Sequence, residues 1–314
     1  MSTNKYEQVK ERVLTGSDMD YFGICPSSVL EGEPKGHKPS DLLPNARSII
    51  VYGRKLIDGT IQAKFRAIED RSPNAAGSYN AHSFVLSINH LCMKQTYEIA
   101  QYLEKTFGCY AMPLTNNVIQ AVEPEGLPAP FFADPYRAGL PINIYKAAVA
   151  AGIGELGWNH RVITPDNGPR VYLCAIVTSL EFDKYDKPYS GEKLCDPEKC
   201  HVCSDKCPVH ALDPKEGVTV EVAGKTCTMG KLDVNGCGVA CFGFRKALNP
   251  RSKVEVTEDH PSDETLAKAI DFNYKHPAGQ TLDHLSMSNC DWCLLYCPVG
   301  NWKKTFKDRG LTKA

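Results

Sequence analysis

The 314-residue sequence predicts an α+β protein in two parts, a mixed α/β domain over residues 1–182 and a cysteine-rich domain over 183–314. Three observations predict it. Helix-type and strand-type apolar periodicities alternate up to about residue 180 and then fade. Of the fourteen cysteines, only Cys25, Cys92, Cys109 and Cys174 fall in the first part; ten lie between Cys195 and Cys297. The second part also repeats one spacing, Cys-x2-Cys-x3-Cys-Pro.

Taken in order, residues 4–14 suit an amphipathic helix and 46–56, "ARSIIVYGRKL", a buried β-branched strand. Residues 82–108 have long helical periodicity ending at Gly108, and "CYAMPLT" follows as a short strand. Residues 142–154 read as a helix ending in glycines and 169–182 as a strand. The stretches 57–81 and 115–141, rich in Pro, Gly and Asn, read as loops suited to lining a cleft. Residues 249–289 read as a polar excursion between cysteine motifs.

Composition narrows the function. Formal net charge is −1 and neither end carries a basic block, so no nucleic acid duplex partner is expected. No run approaches ~20 apolar residues, so no membrane span is expected. The N-terminal stretch lacks an apolar or twin-arginine leader, which points to the cytoplasm. There, thiols stay reduced, so this many cysteines suggests metal rather than disulfides.

Cys200-x2-Cys203-x3-Cys207-Pro208 is answered by Cys290-x2-Cys293-x3-Cys297-Pro298. Such short spacings wrap backbone amides round a cubane with the thiolates pointing inward. The trailing Cys-Pro ligates the other cluster in two-cluster ferredoxins. Two [4Fe–4S] clusters with crossed ligation follow: Cys195, Cys200, Cys203 and Cys297 for the first, and Cys207, Cys290 and Cys293 for the second. Cys241 or Cys237 completes the second set. Cys-x2-Cys also suits zinc, but the Cys-Pro ending, present twice, favours iron–sulfur. Two clusters in series form a conduit, and a conduit needs an acceptor, which gives the N-terminal domain a purpose.

Several segments resemble the reductive dehalogenase and epoxyqueuosine reductase superfamily. They are Ala151-Gly152-Ile153-Gly154, Ile163-Thr164-Pro165, Gly168-Pro169-Arg170 and Thr178-Ser179-Leu180, followed by the cysteine motif. "GHKPSDLLPNARSIIVYG", "FGCYAMPLTN" and "CFGF" (241–244) extend the match, and the last favours Cys241 over Cys237. The resemblance implies a nitroreductase-like α/β domain that binds a corrinoid (cobalamin), with a ferredoxin-like domain feeding it electrons. It implies a low-potential donor such as ferredoxin or flavodoxin, and a small organic, organohalide or nucleoside-like substrate. Tyr79, ahead of the long helix, matches the family's proton-donating tyrosine; a phenol with pKa of about 10 is protonated at neutral pH. Trp158 and His160, with Arg161 beside them, are expected to shape the substrate pocket. Asn116, Asn117, Gly152 and Gly154 are expected to contact the corrinoid.

The sequence also departs from the family. Trp158-Asn159-His160 stands where respiratory dehalogenases often have arginine, and Ala138 where epoxyqueuosine reductases have a catalytic aspartate, with Asp134 nearby. His82 and His90 read as structural, and Cys227 and Cys237 are surplus to the cluster count. Two other readings use the same residues. The fold also suits a flavin, and the chain also suits a non-catalytic electron-transfer or corrinoid-reactivating protein. For the latter, Trp292, Leu294, Leu295 and Trp302 would form an exposed docking patch, although the same residues equally suit buried cover for the cluster.

Overall fold

A computed structural model describes residues 4–70, 72–83, 87–115, 141–249, 252–275 and 290–300. It is a mixed helix-and-sheet structure. Helix α1 (Lys5–Leu14) starts where the Asn4 side chain accepts from the Glu7 amide, and it buries Tyr6, Val9 and Val13 along one stripe. Strand β1 (Tyr21–Pro26), a short helix α2 (Pro39–Leu42) and strand β2 (Ser48–Lys55) follow. Next come helices α3 (Asp58–Glu69), α4 (Pro73–His82) and α5 (Ser87–Phe107), then strand β3 (Ala111–Thr115). Helix α6 (Ile144–Ala150) precedes the short antiparallel pair β4 (Glu155–Leu156) and β5 (Val162–Ile163), and strand β6 (Val171–Thr178) closes this half.

The main sheet has the order β1-β2-β6-β3 and every pairing is antiparallel. Alternation assigns its two faces. Ile50, Tyr52, Tyr172, Cys174 and Ile176 join a core with α1 and α5. Ile49, Val51, Leu173, Ala175 and Val177 join another with α6. Both faces are covered, which is why β6 is buried at all eight positions and reads as a continuous apolar run.

In the cysteine-rich half, helix α7 (Val202–Asp205) leads to a hairpin of β7 (Leu212–Val222) and β8 (Lys225–Leu232). Helices α8 (Val234–Cys241), α9 (Asp263–Lys275) and α10 (Trp292–Leu295) follow. Among the described residues, no helix is long and apolar enough to cross a membrane.

Four expectations need correction. Residues 57–81 are not a loop but two helices, α3 and α4. The long helix begins at Ser87 rather than 82, and His82 belongs to α4. The excursion after 249 contains α9, whose Leu266, Ala269 and Ile270 pack with Val239 and Phe244. Leu294 and Leu295, exposed in the docking-patch reading, are fully buried in the core shared by the sheet, α1 and α5. Trp302 lies outside the described residues.

Candidate functional site

The turn Thr164–Arg170 and the second cysteine motif fit together backbone to backbone. Thr164 and Gly168 bond to each other through both amides at 2.9 Å, which aims the Arg170 side chain inward. The Arg170 guanidinium, 2% exposed, donates to the carbonyls of Leu294 (3.2 Å), Cys297 (3.0 Å) and Val299. Gly168 has φ +59, and a Cβ there would stand 2.5 Å from the Val299 carbonyl. Only glycine tolerates both conditions. Thus the Gly-Pro-Arg stretch holds the cysteine segment in place.

A second anchor sits one turn earlier in that segment. Asp291, between Cys290 and α10, is buried. Its backbone lies in the left-handed region (φ 50) and its carbonyl accepts from Leu294 and Leu295. Its carboxylate accepts from Arg161 Nη2 at 2.6 Å and from the Tyr79 hydroxyl at 3.0 Å. Asn159 Nδ2 donates to the Cys293 carbonyl at 3.2 Å, and its Oδ1 accepts from the Arg161 amide at 3.3 Å. Lys64 on α3 lies 5.0 Å above the Tyr79 ring. Tyr79, Arg161, Asp291 and Lys64 therefore form one charged cluster against the Cys290–Cys293 turn.

Burial sets its protonation. Desolvation, then the Asp291 charge, pushes Tyr79 well above the usual phenol value, with Arg161 opposing. Burial lowers Lys64, against the pull of Asp291, Cys290 and Cys241. For Arg161 burial acts downward, but Asp291 and then Cys293 outweigh it and the net shift is upward. The phenol stays protonated and the Arg161 guanidinium stays charged.

The expected ligand cysteines crowd together, and Cys203 lies near members of both expected sets. Cys203 is raised by burial and then by Cys293, Cys195, Cys297 and Cys200. Cys297, pushed up to about 11 by burial, faces Cys195 and Cys200. Burial pushes Cys293 up to about 12, where it feels Arg161, Asp291, Cys241 and Cys207. Burial also raises Cys290, beside Cys241 and Cys293. Thus the trailing Cys297 stands with the first motif and Cys207 with the second. Cys203, Cys207, Cys237, Cys241, Cys290 and Cys293 line a cavity of about 460 Å³, part of it open to solvent. Among the described residues no three side chains converge on the point a single metal ion would occupy; the thiols surround a space. A cubane, with thiolates at its corners, suits that donor set. Backbone amides already point at two sulfurs: Trp158 N to Cys195 at 3.3 Å and Ala211 N to Cys207 at 3.3 Å.

The other expected site residues lie elsewhere. The Trp158 indole is buried under the hairpin, where Nε1 donates to the Asp213 carbonyl at 2.8 Å. His160 Nε2 donates to the Gly230 carbonyl at 2.6 Å. Both dock β7–β8 rather than open onto the cavity, whose rim here is Asn159. Gly152, at φ +75, would place a Cβ 2.5 Å from the Lys187 carbonyl, and Gly154 would collide with that of Ile163. These two glycines are closed by the chain's own backbone, and a corrinoid does not fit against them. Asn116, Asn117, Asp134 and Ala138 lie outside the described residues. Cys227 is buried in the hairpin, packed with the sheet core. The sequence reading missed Asp291 and Lys64; a carboxylate placed inside Cys290-Asp-Trp-Cys293 was the available signal for the first.

Part of the sequence matches curated proteins. The chain is 28% identical over 236 residues, 72% of its length, to the tetrachloroethene reductive dehalogenase of Dehalobacter restrictus. It is 28% identical over the same length to that of Desulfitobacterium hafniense. The chain is thus similar in sequence to reductive dehalogenases and, in fold, to epoxyqueuosine reductase. It spans about a third (34%) of the length of those curated relatives. Epoxyqueuosine reductase of Streptococcus thermophilus shares the fold, with a TM-score of 0.53 at 15% identity over 95% of this chain and 67% of that one. An epoxyqueuosine reductase bound to a modified tRNA stem loop gives a TM-score of 0.51 at 15% identity over 94% of this chain and 66% of that one. No family model matches the chain.

Proposed function

We propose that this chain is an iron–sulfur reductase in which two [4Fe–4S] clusters pass electrons to a substrate reduced beside Tyr79. Cys195, Cys200, Cys203 and Cys297 would hold the first cluster, and Cys207, Cys241, Cys290 and Cys293 the second. When bound, such clusters supply one-electron transfer at low potential. The observation that carries the reading is the Tyr79–Asp291–Arg161 contact, which joins an acid to the turn between Cys290 and Cys293.

Each residue has a defined task. Tyr79, kept neutral by burial, holds a transferable proton on its hydroxyl. Asp291 orients that hydroxyl, and Arg161 balances the carboxylate. Lys64, close over the ring, favours the phenolate left when that proton is given up. Arg170 and Asn159 fix the carbonyls of the cysteine segment, so cluster and acid keep a constant separation. Electrons from a ferredoxin or flavodoxin would enter at the first cluster, where Cys195 and Cys200 are partly exposed. Substrates of the relatives' kind, an organohalide or a modified nucleoside, take up electrons and a proton together, which suits an acid placed next to an electron carrier. A corrinoid as final carrier would need residues other than Gly152 and Gly154.

Anaerobic purification from cells supplied with cobalamin, with iron and cobalt measured on one sample, tests the reading. About eight iron atoms per chain supports the two clusters. Fewer than about four refutes them. One cobalt per chain makes a corrinoid the final carrier, and none removes it.

A further inference from the structure

The stretch between the two cysteine motifs carries three thiols, Cys227, Cys237 and Cys241, where two four-iron clusters need one. We propose that Cys237 is an interchangeable ligand for the cluster held by Cys207, Cys290 and Cys293, so that either Cys237 or Cys241 completes it; the inference rests on the iron–sulfur reading above.

Three observations carry it. Cys237 and Cys241 sit four residues apart on α8, one helical turn, and therefore on one face. Both line the cavity that Cys207, Cys290 and Cys293 also line. The two sulfurs share a hydrogen bond, and the next charges that act on Cys237 are those of Cys293 and Cys290. The surplus thiol thus faces the same three partners as Cys241. Cys227, the other cysteine outside the two sets, packs instead with the sheet core.

The helix that carries the pair is built to give. Its sequence, Val-Asn-Gly-Cys-Gly-Val-Ala-Cys, has glycine on both sides of Cys237, and each glycine weakens a helix by about 1 kcal/mol relative to alanine. Asp233 holds the start of the helix through the Gly236 amide at 2.9 Å, leaving the rest of the turn to adjust. Exchange is balanced without redox change. As the Cys237 sulfur bonds to iron, its proton passes to the departing Cys241 thiolate, so no electron moves and the cluster keeps its charge. A neighbouring thiol one turn away replaces a lost ligand before solvent reaches the open iron.

The test uses the full chain, reconstituted anaerobically, with iron and acid-labile sulfide counted and the dithionite-reduced clusters examined by electron paramagnetic resonance. Cys237→Ala, Cys241→Ala, the double variant and Cys293→Ala are compared, because alanine cannot ligate. Only the monodisperse fraction with wild-type circular dichroism is counted, and Cys→Ser versions replace any alanine variant that yields none. Each single change at 237 or 241 is expected to keep about eight iron atoms, with a changed second-cluster spectrum in Cys241→Ala or Cys237→Ala. The double variant and Cys293→Ala are expected to fall to about four. A fall to about four in Cys241→Ala with Cys237→Ala unaffected, or the reverse, overturns the proposal and leaves a single fixed ligand. Wild-type protein holding fewer than about eight overturns the cluster reading itself.

Discussion

A single contact, Tyr79 to Asp291, ties the proposed proton source to the second cysteine motif. Removing the hydroxyl in Tyr79→Phe leaves the cysteines untouched, so iron content should stay at the wild-type level. Substrate reduction should fall about 100-fold to 10,000-fold, the usual worth of a positioned acid. Retained turnover with unchanged iron would sink the acid role. Asp291→Asn acts differently, because it strands the buried Arg161 charge. Breaking such a pair costs about 3–5 kcal/mol, read as a lower midpoint in anaerobic thermal unfolding. Replacing both members together, Arg161→Met with Asp291→Asn, should restore most of that stability, because asparagine tolerates the left-handed backbone and still accepts from Tyr79. Equal destabilisation in the single and double variants would show that the charge pair is not what holds the segment.

At the level of elements, the hairpin and the Gly-Pro-Arg turn decide where the cysteines stand. Gly230 leaves no room for a Cβ against the Trp158 indole, and at Gly217 a Cβ would stand 2.9 Å from the same ring. Gly230→Ala should therefore push the indole off the Asp213 carbonyl, at about 1–3 kcal/mol. It should also shift the tryptophan fluorescence to the red; an unchanged spectrum would mean that the ring has slack. Much of this level was legible in the sequence. The buried runs of β2 and β6 and the stripe of α1 announce themselves by period. Helices α3 and α4 were hidden because Gly59, Pro73, Asn74 and Gly77 look like loop residues. Yet Ser72 caps the Ala75 amide and Pro73 takes the first turn, an ordinary helix start. The hairpin was hidden because its turn uses Ala223 at φ 51 beside Gly224, whereas glycine or asparagine at both positions is the familiar signal. The cysteine spacing revealed which residues group, but nothing local to Trp158 or His160 revealed that they face a hairpin some seventy positions later.

Over the whole molecule, the second cysteine motif and the N-terminal sheet share one core. Tyr52, Tyr79 and Tyr172 lie in it, and burial raises all three well above the usual phenol value. A raised phenol gives stability that is complete below the unfolded pKa, about 10, and is lost as pH climbs beyond it, because only the unfolded chain ionises there. The three should ionise only with loss of circular dichroism, as one alkaline transition later than that of exposed tyrosines such as Tyr97 and Tyr110; tyrosinate absorbance complete before unfolding would place them outside the core. Leu294 and Leu295, both fully buried in that core, carry the same logic to the clusters. Leu294 lies directly after Cys293, so the packing that fixes its side chain also fixes a cluster ligand. Leu294→Ala should remove about 2–5 kcal/mol by opening a cavity under the sheet. If the two halves fold as one unit, unfolding followed by circular dichroism and iron loss followed by visible absorbance should shift down in temperature together. A shift in the dichroism alone would show that the cysteine segment holds its clusters without the sheet, and that the shared core serves only the N-terminal layers.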